Sequence, residues 1–211
     1  MQDIIEKAVG HLTSKYKAKT ILLYGSFASL AANNQSDIDL IVLADTDAEG
    51  HDSSQIDNHI LDAWIYPINR WEDPSTFTHI YPFRILMDEL GVAEKLEASI
   101  LEQRINATKI LSAAEYQQLV SWIKKMLNRS TQNTVEANYR YNWLLHEVPE
   151  LYANLSGIYY DGPVKTLRRI KEQDPDLYQQ YETLLAAGKN VTLLDELYGL
   201  IIDRGDLGLS R

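Results

Sequence analysis

The 211-residue chain contains no cysteine. That absence excludes disulfides, thiolate metal sites and catalysis by a cysteine nucleophile, and it fits a reducing compartment. No run approaches the roughly 18 consecutive apolar residues that a membrane span requires. The first twenty residues, MQDIIEKAVGHLTSKYKAKT, carry acids near the start and lack the apolar core of a secretory signal. A cytoplasmic protein with no membrane partner is the expectation. Positive charge is also scarce: 20 Lys and Arg stand against 30 Asp and Glu, for a formal net charge of -10. A sequence-independent grip on nucleic-acid phosphates needs a basic surface, so a nucleic-acid partner is not expected. Nearly all the excess negative charge precedes residue 106. An acidic half of that kind attracts metal ions and cationic small molecules, or simply keeps the chain dissolved.

Hydrophobic residues make up 45% of the chain, enough to build one large core or two small ones. Ile4, Ile5, Ala8, Val9 and Leu12 form an apolar stripe at helical spacing over residues 3–16. KTILLYG follows as a short strand ending at Gly25, then a short helix over 27–32, then a strand over DIDLIVLA. DTDAEGHDSSQ reads as a loop or a solvated helix, HILDAWIYP as a third strand stopped by Pro67, and PFRILMD as a fourth. Beyond residue 92 helical patterns take over, at about 92–104, 112–129, 134–156, 162–172, 176–186 and 191–203. Pro149 is expected to kink or break the third of these. The fold class is therefore α+β: a small mixed sheet flanked by helices over residues 1–106, followed by an all-α bundle over 107–211.

The stretch LLYGSFASLAANNQSDIDLIVLA, Leu22 to Ala44, raises the question of chemistry. Asp37 and Asp39 precede Ile41, Val42 and Leu43, and burying carboxylates costs several kcal/mol unless something pairs with them. On a strand, positions i and i+2 point to one face, so two like charges would sit side by side. Nothing basic lies nearby. A divalent cation resolves the conflict, and ligands that are all oxygen suit Mg²⁺ or Mn²⁺. Gly25-Ser26 ends the preceding strand and opens a helix. Glycine permits close backbone approach, the helix start offers free N–H groups, and Ser26 adds a hydroxyl. A phosphate cradle beside a metal-binding carboxylate pair points to a nucleoside triphosphate.

Gly25-Ser26, ten residues, then Asp37-Ile38-Asp39, with a strand on either side, resembles the signature of the polymerase-β nucleotidyltransferase superfamily. Its members include aminoglycoside and lincosamide nucleotidyltransferases and the minimal nucleotidyltransferases of toxin–antitoxin pairs. The resemblance implies that Gly25 and Ser26 hold the β- and γ-phosphates of ATP or another NTP. It implies that Asp37 and Asp39 ligate two divalent ions. A third carboxylate on a neighbouring strand completes such sites, and Asp62, the lone acid within HILDAWIYP, is its counterpart here, as metal ligand or as base for the acceptor hydroxyl. The chain departs from the pattern at Ser29-Leu30, where many relatives carry Arg-Gly. The implied reaction passes a nucleoside monophosphate to a small hydroxylated acceptor, aminoglycoside-like among the options. A protein-modifying or antitoxin-like relative and a non-catalytic nucleotide binder are the alternatives. A homodimer is compatible, since some relatives share a site between two subunits.

In the helical half, Asp161-Gly162-Pro163 marks a helix start. Lys165 then sits where the helix dipole disfavours a cation, which suits a triphosphate or an active-site carboxylate, or else a solvated lysine. Arg140 and His146 form R-x5-H, superficially like a ribonuclease motif, but positions six apart on a helix differ by about 120°. Trp122 and Trp143 are expected in the bundle core.

Overall fold

A computed structural model describes residues 2–209. The chain divides into two compact units between Ile105 and Asn106. None of the helices, among the described residues, is long and apolar enough to cross a membrane.

The first unit opens with helix α1 (Gln2–Tyr16), whose Ile4, Ala8 and Leu12 form a buried stripe at i, i+4 and i+8. Strand β1 (Ala18–Leu23), a single turn α2 (Gly25–Ala28) and β2 (Ile38–Ala44) follow. Next come β3 (Gly50–Asp52), β4 (Gln55–Ile56), β5 (His59–Pro67), two 3₁₀ segments (Ile68–Glu72 and Pro74–Ile80), β6 (Arg84–Asp88) and α3 (Ala93–Ala107). The sheet is mixed, in the order β3-β5-β2-β1-β6, with β4 against β5. β2 runs parallel to β5, whereas β1 is antiparallel to both β2 and β6, and β3 is antiparallel to β5.

Both faces of this sheet are covered, which explains why β2 reads as a continuous apolar run after Asp39. Ile38, Leu40 and Val42 pack with Ile21, Leu23 and the α1 stripe on one face. Ile41 and Leu43 pack with Leu22, Phe77, Ile80 and the Leu96 and Ile100 side chains of α3 on the other. Each such side chain, fully buried, contributes about 1.5–3 kcal/mol. Asp39 alternates with Ile41 and Leu43, so it belongs to the α3 face at the beginning of its strand.

Three local expectations differ from the structure. The helix predicted over 27–32 is only the turn Gly25–Ala28, because Leu30 takes a left-handed conformation at φ 58°. The stretch read as a loop contains β3 and the first residue of β4, strands too short and polar to show a period of two. Asp37 lies one residue before β2, whose pairing with β5 begins at Ile38 opposite Leu61. The loop before it is held by its own bonds: Asn33 N–H donates to Ser36 Oγ at 2.9 Å, and His59 Nδ1 donates to the Ser36 carbonyl at 2.7 Å.

The second unit holds α4 (Ala113–Ser130), α5 (Val135–Ser156), α6 (Gly162–Gln173), α7 (Pro175–Ala186) and α8 (Val191–Leu209). Ser112 and Glu115 form a reciprocal capping box at the start of α4. Buried tyrosines tie the bundle to backbone carbonyls: Tyr116 Oη donates to Ile202 O at 2.6 Å and Tyr198 Oη to Leu144 O at 2.7 Å. Pro149 does not break α5. A proline deprives the carbonyl four residues earlier of its N–H partner; that carbonyl, Leu145 O, instead accepts from Tyr181 Oη at 2.9 Å. Trp143 is partly buried, but Trp122 is 37% exposed and meets it edge-on at 5.1 Å, so the pair forms the margin of the core rather than its centre.

Candidate active site

The site residues of the first unit converge because β1 and β2 pair one step past β1's last ladder residue. Tyr24 N–H donates to the Asp39 carbonyl at 3.0 Å. That bond brings Gly25 directly against the Asp39 side chain. Gly25 adopts φ 69°, a left-handed conformation that glycine takes without penalty. A Cβ there would collide with the Asp39 carboxylate, lying 2.8 Å from its Cγ. Glycine is required here for two independent reasons, backbone conformation and space. The second was not legible in the sequence.

Asp39 is half-buried. Burial, followed by the charges of Asp62 and Asp37, pushes its carboxyl up to about 6, with the Ser26 backbone amide partly offsetting the rise. Asp62 stands directly beside it, since Asp39 and Asp62 are register partners on the parallel β2–β5 pair. Tyr24 belongs to the same neighbourhood: burial first, then Asp39 and Asp62, hold its hydroxyl well above the usual tyrosine range. Its ring meets His79 edge-on at 5.8 Å.

A residue that sequence reasoning missed completes the row. His51, on β3, bonds through Nε2 to Asp62 Oδ1 at 2.6 Å. Its ring lies 4.7 Å from that of Trp64, its cross-strand partner and itself 43% exposed. Asp39, Asp62 and His51 thus follow one another across β2, β5 and β3 on one face of the sheet. No sequence signal announced it: Gly50-His51-Asp52 is too short and polar to show a period of two, and only the structure shows His51 facing Asp62 while Asp52 is buried behind it. Asp52 is 3% exposed and accepts from His11 Nε2 at 2.8 Å, Lys15 Nζ at 3.1 Å and Ser54 N–H at 2.8 Å. Burial opposes its charge, but the bonds from Ser54, His11 and Lys15 outweigh that and hold the carboxyl far below the usual range.

The predicted residues are therefore not all gathered alike. Gly25, Ser26, Asp39 and Asp62 come together, and Asp37 stands at their margin on an exposed segment just before β2. No group of three His, Asp or Glu side chains, among the described residues, is close enough to hold a metal ion jointly. Asp37, Asp39 and Asp62 repel one another, and Asp62 is engaged by His51. Lys165 lies in the other unit, in the first turn of α6, 3.7 Å from Asp161 Oδ1. That ion pair offsets the unfavourable placement of a cation at a helix start. Arg140 and His146 share the unbroken α5, where six residues of separation keep them on different faces.

The donor chemistry fits a divalent cation. A half-buried carboxylate flanked by two others, pressed against a glycine that leaves it room, is stabilised by added positive charge. Donors that are all oxygen suit Mg²⁺ or Mn²⁺ rather than zinc or copper.

Residues 6–70 match the family described as polymerase beta, nucleotidyltransferase. The match runs from α1 to the first 3₁₀ segment and includes Gly25, Ser26, Asp37, Asp39, His51 and Asp62. No curated protein matches the chain.

Proposed function

We propose that this chain, whose N-terminal unit carries a polymerase-β superfamily nucleotidyltransferase domain, moves a nucleoside monophosphate from ATP or another NTP onto a hydroxyl of a small acceptor. The observation that carries the reading is the register pairing of Asp39 with Asp62 beneath a glycine whose left-handed backbone and missing Cβ leave room for the Asp39 carboxylate. In this reading Gly25 and Ser26 bind the β- and γ-phosphates through backbone N–H groups and the Ser26 hydroxyl. Asp39 and Asp62, with Asp37 at the margin, would hold two Mg²⁺ or Mn²⁺ ions. Such ions supply charge neutralisation at the entering and leaving oxygens of an in-line displacement.

The remaining steps belong to the protein. The acceptor oxygen forms a bond to the α-phosphorus as the bond from that phosphorus to the β-bridging oxygen breaks. Pyrophosphate departs with the electron pair, and the acceptor's proton passes to the Asp62 carboxylate. Asp39, half-buried and pressed against Gly25, would hold a cation in a fixed place, so that little is lost to solvent reorganisation. The acidic balance of the first 105 residues suits a cationic, hydroxylated acceptor of the aminoglycoside kind.

The test is incubation of the protein with Mg²⁺, α-labelled NTPs and a panel of hydroxylated amines. Label on a small acceptor is expected, with Asp39→Asn abolishing it. Label on a protein instead would redirect the acceptor assignment. Unchanged transfer by Asp39→Asn would overturn the site. Lys165→Ala is expected to weaken NTP binding about tenfold, the effect of losing one charged phosphate contact; an unaltered Kd and rate would remove Lys165 from the nucleotide site.

A further inference from the structure

We propose that His51 is a positioning residue for Asp62: by donating from Nε2 to one carboxylate oxygen, it fixes the group's orientation and leaves the other oxygen for the cation and the acceptor's proton. The inference rests on the reading of Asp39 and Asp62 given above. An ionised carboxylate can only accept, so the 2.6 Å contact at Oδ1 has His51 as its donor. The terminal torsion of an aspartate is soft. A single fixed oxygen therefore decides what the other one faces.

The imidazole is itself held in place. Trp64 lies directly across the β3–β5 ladder with ring centroids 4.7 Å apart. The neighbouring Asp52 points to the opposite face and anchors β3 to His11 and Lys15 of α1. A strand of only three residues at the sheet edge is thus pinned from behind, and its forward side chain is delivered to Asp62. Stability alone does not account for the pair: the two side chains are 38% and 40% exposed, and exposed ion pairs contribute little to stability. Partners that orient metal-ligating carboxylates, by contrast, change metal affinity or activity by about 10–100-fold.

The test measures Mn²⁺ binding by electron paramagnetic resonance on the full chain without nucleotide, for wild type, His51→Ala, His51→Gln and Asp39→Asn. His51→Ala is expected to weaken Mn²⁺ about tenfold. His51→Gln, whose amide can still donate, is expected to return to within about threefold of wild type. Asp39→Asn is expected to lose binding. His51→Ala binding like wild type, while Asp39→Asn fails, would overturn the positioning role and leave the cation reading intact. His51→Gln as weak as His51→Ala would also overturn it, by assigning the loss to the ring on Trp64. Mn²⁺ binding unaffected in all three would remove the cation reading, and this inference with it. Nitrogen-15 NMR of His51 in the wild-type protein needs no variant: an Nε2-protonated ring is expected, and a bare Nε2 would contradict the assignment.

Discussion

Asp39→Asn should make the metal-free protein more stable at neutral pH while destroying its activity. The Asp39 carboxyl is raised from 3.8 to about 6 by burial and by the charges of Asp62 and Asp37. At about 1.36 kcal/mol per pKa unit, that shift corresponds to a penalty of up to about 3 kcal/mol for ionising Asp39 in the fold. Asp39 keeps partial contact with water, which reduces the expected figure to about 1–2 kcal/mol. The sign follows from proton uptake: between about pH 4 and 6 the folded form binds more protons than the unfolded chain. The stability that this site allows is therefore full below about pH 4 and is lost as pH rises through about 6. Asparagine removes the charge, so the variant lacks this decline. In EDTA at pH 7.5, the slowest-exchanging amides of β1, β2 and β5 should exchange about 5–30-fold more slowly in the variant than in wild type. At pH 4 the difference should vanish. Added Mg²⁺ should protect wild type but not the variant, because a ligand stabilises only the state that binds it. A variant less stable than wild type in EDTA at pH 7.5, or a difference that does not change with pH, would refute the reasoning.

Gly25→Ala places a Cβ against the Asp39 carboxylate and forces alanine to φ 69°; a loss of about 2–4 kcal/mol in urea denaturation of the first unit is expected, with transfer activity lost. Asp52→Asn removes the charge, and one of the two acceptor oxygens, that join β3 to His11 and Lys15. It should cost about 1–3 kcal/mol at pH 7, and because the Asp52 carboxyl is held low, wild type should lose that advantage as pH falls below about 4. Tyr181→Phe strands the Leu145 carbonyl and should cost about 1–2 kcal/mol in thermal unfolding of the second unit. Adding Pro149→Ala, which supplies an N–H to that carbonyl, should recover part of the loss in a double-mutant cycle.

Much of the first unit's framework was readable because its signals are local. The apolar run after Asp39 marks a strand covered on both faces, and β5 extends over the whole of HILDAWIYP. The helices of the second unit carry their own periodicity. What was hidden depends on contacts distant in sequence. β3 is a strand because Asp52 finds α1 and His51 finds β5, and three residues cannot display that. Pro149 stays within α5 because Tyr181, 32 positions later in the chain, serves the carbonyl it deprives. Leu30 ends α2 early by backbone conformation, with no turn residue to announce it. At the site, the Gly-Ser and the aspartates suggested a cradle and its ligands, yet nothing local to either motif indicates that the glycine accommodates Asp39 itself. Nor did it show that Asp37 falls outside the ladder, since the period of two extends unchanged through Asp37 to Asp39.

The most direct measurement is a crystal of the full chain grown with Mn²⁺ and a non-hydrolysable NTP analogue, examined by anomalous scattering. Manganese is expected within ligating distance of both Asp39 and Asp62, with the analogue's phosphates against the Gly25-Ser26 backbone. A bound analogue whose phosphates lie elsewhere, or manganese absent from those two carboxylates at saturating concentration, would contradict the account.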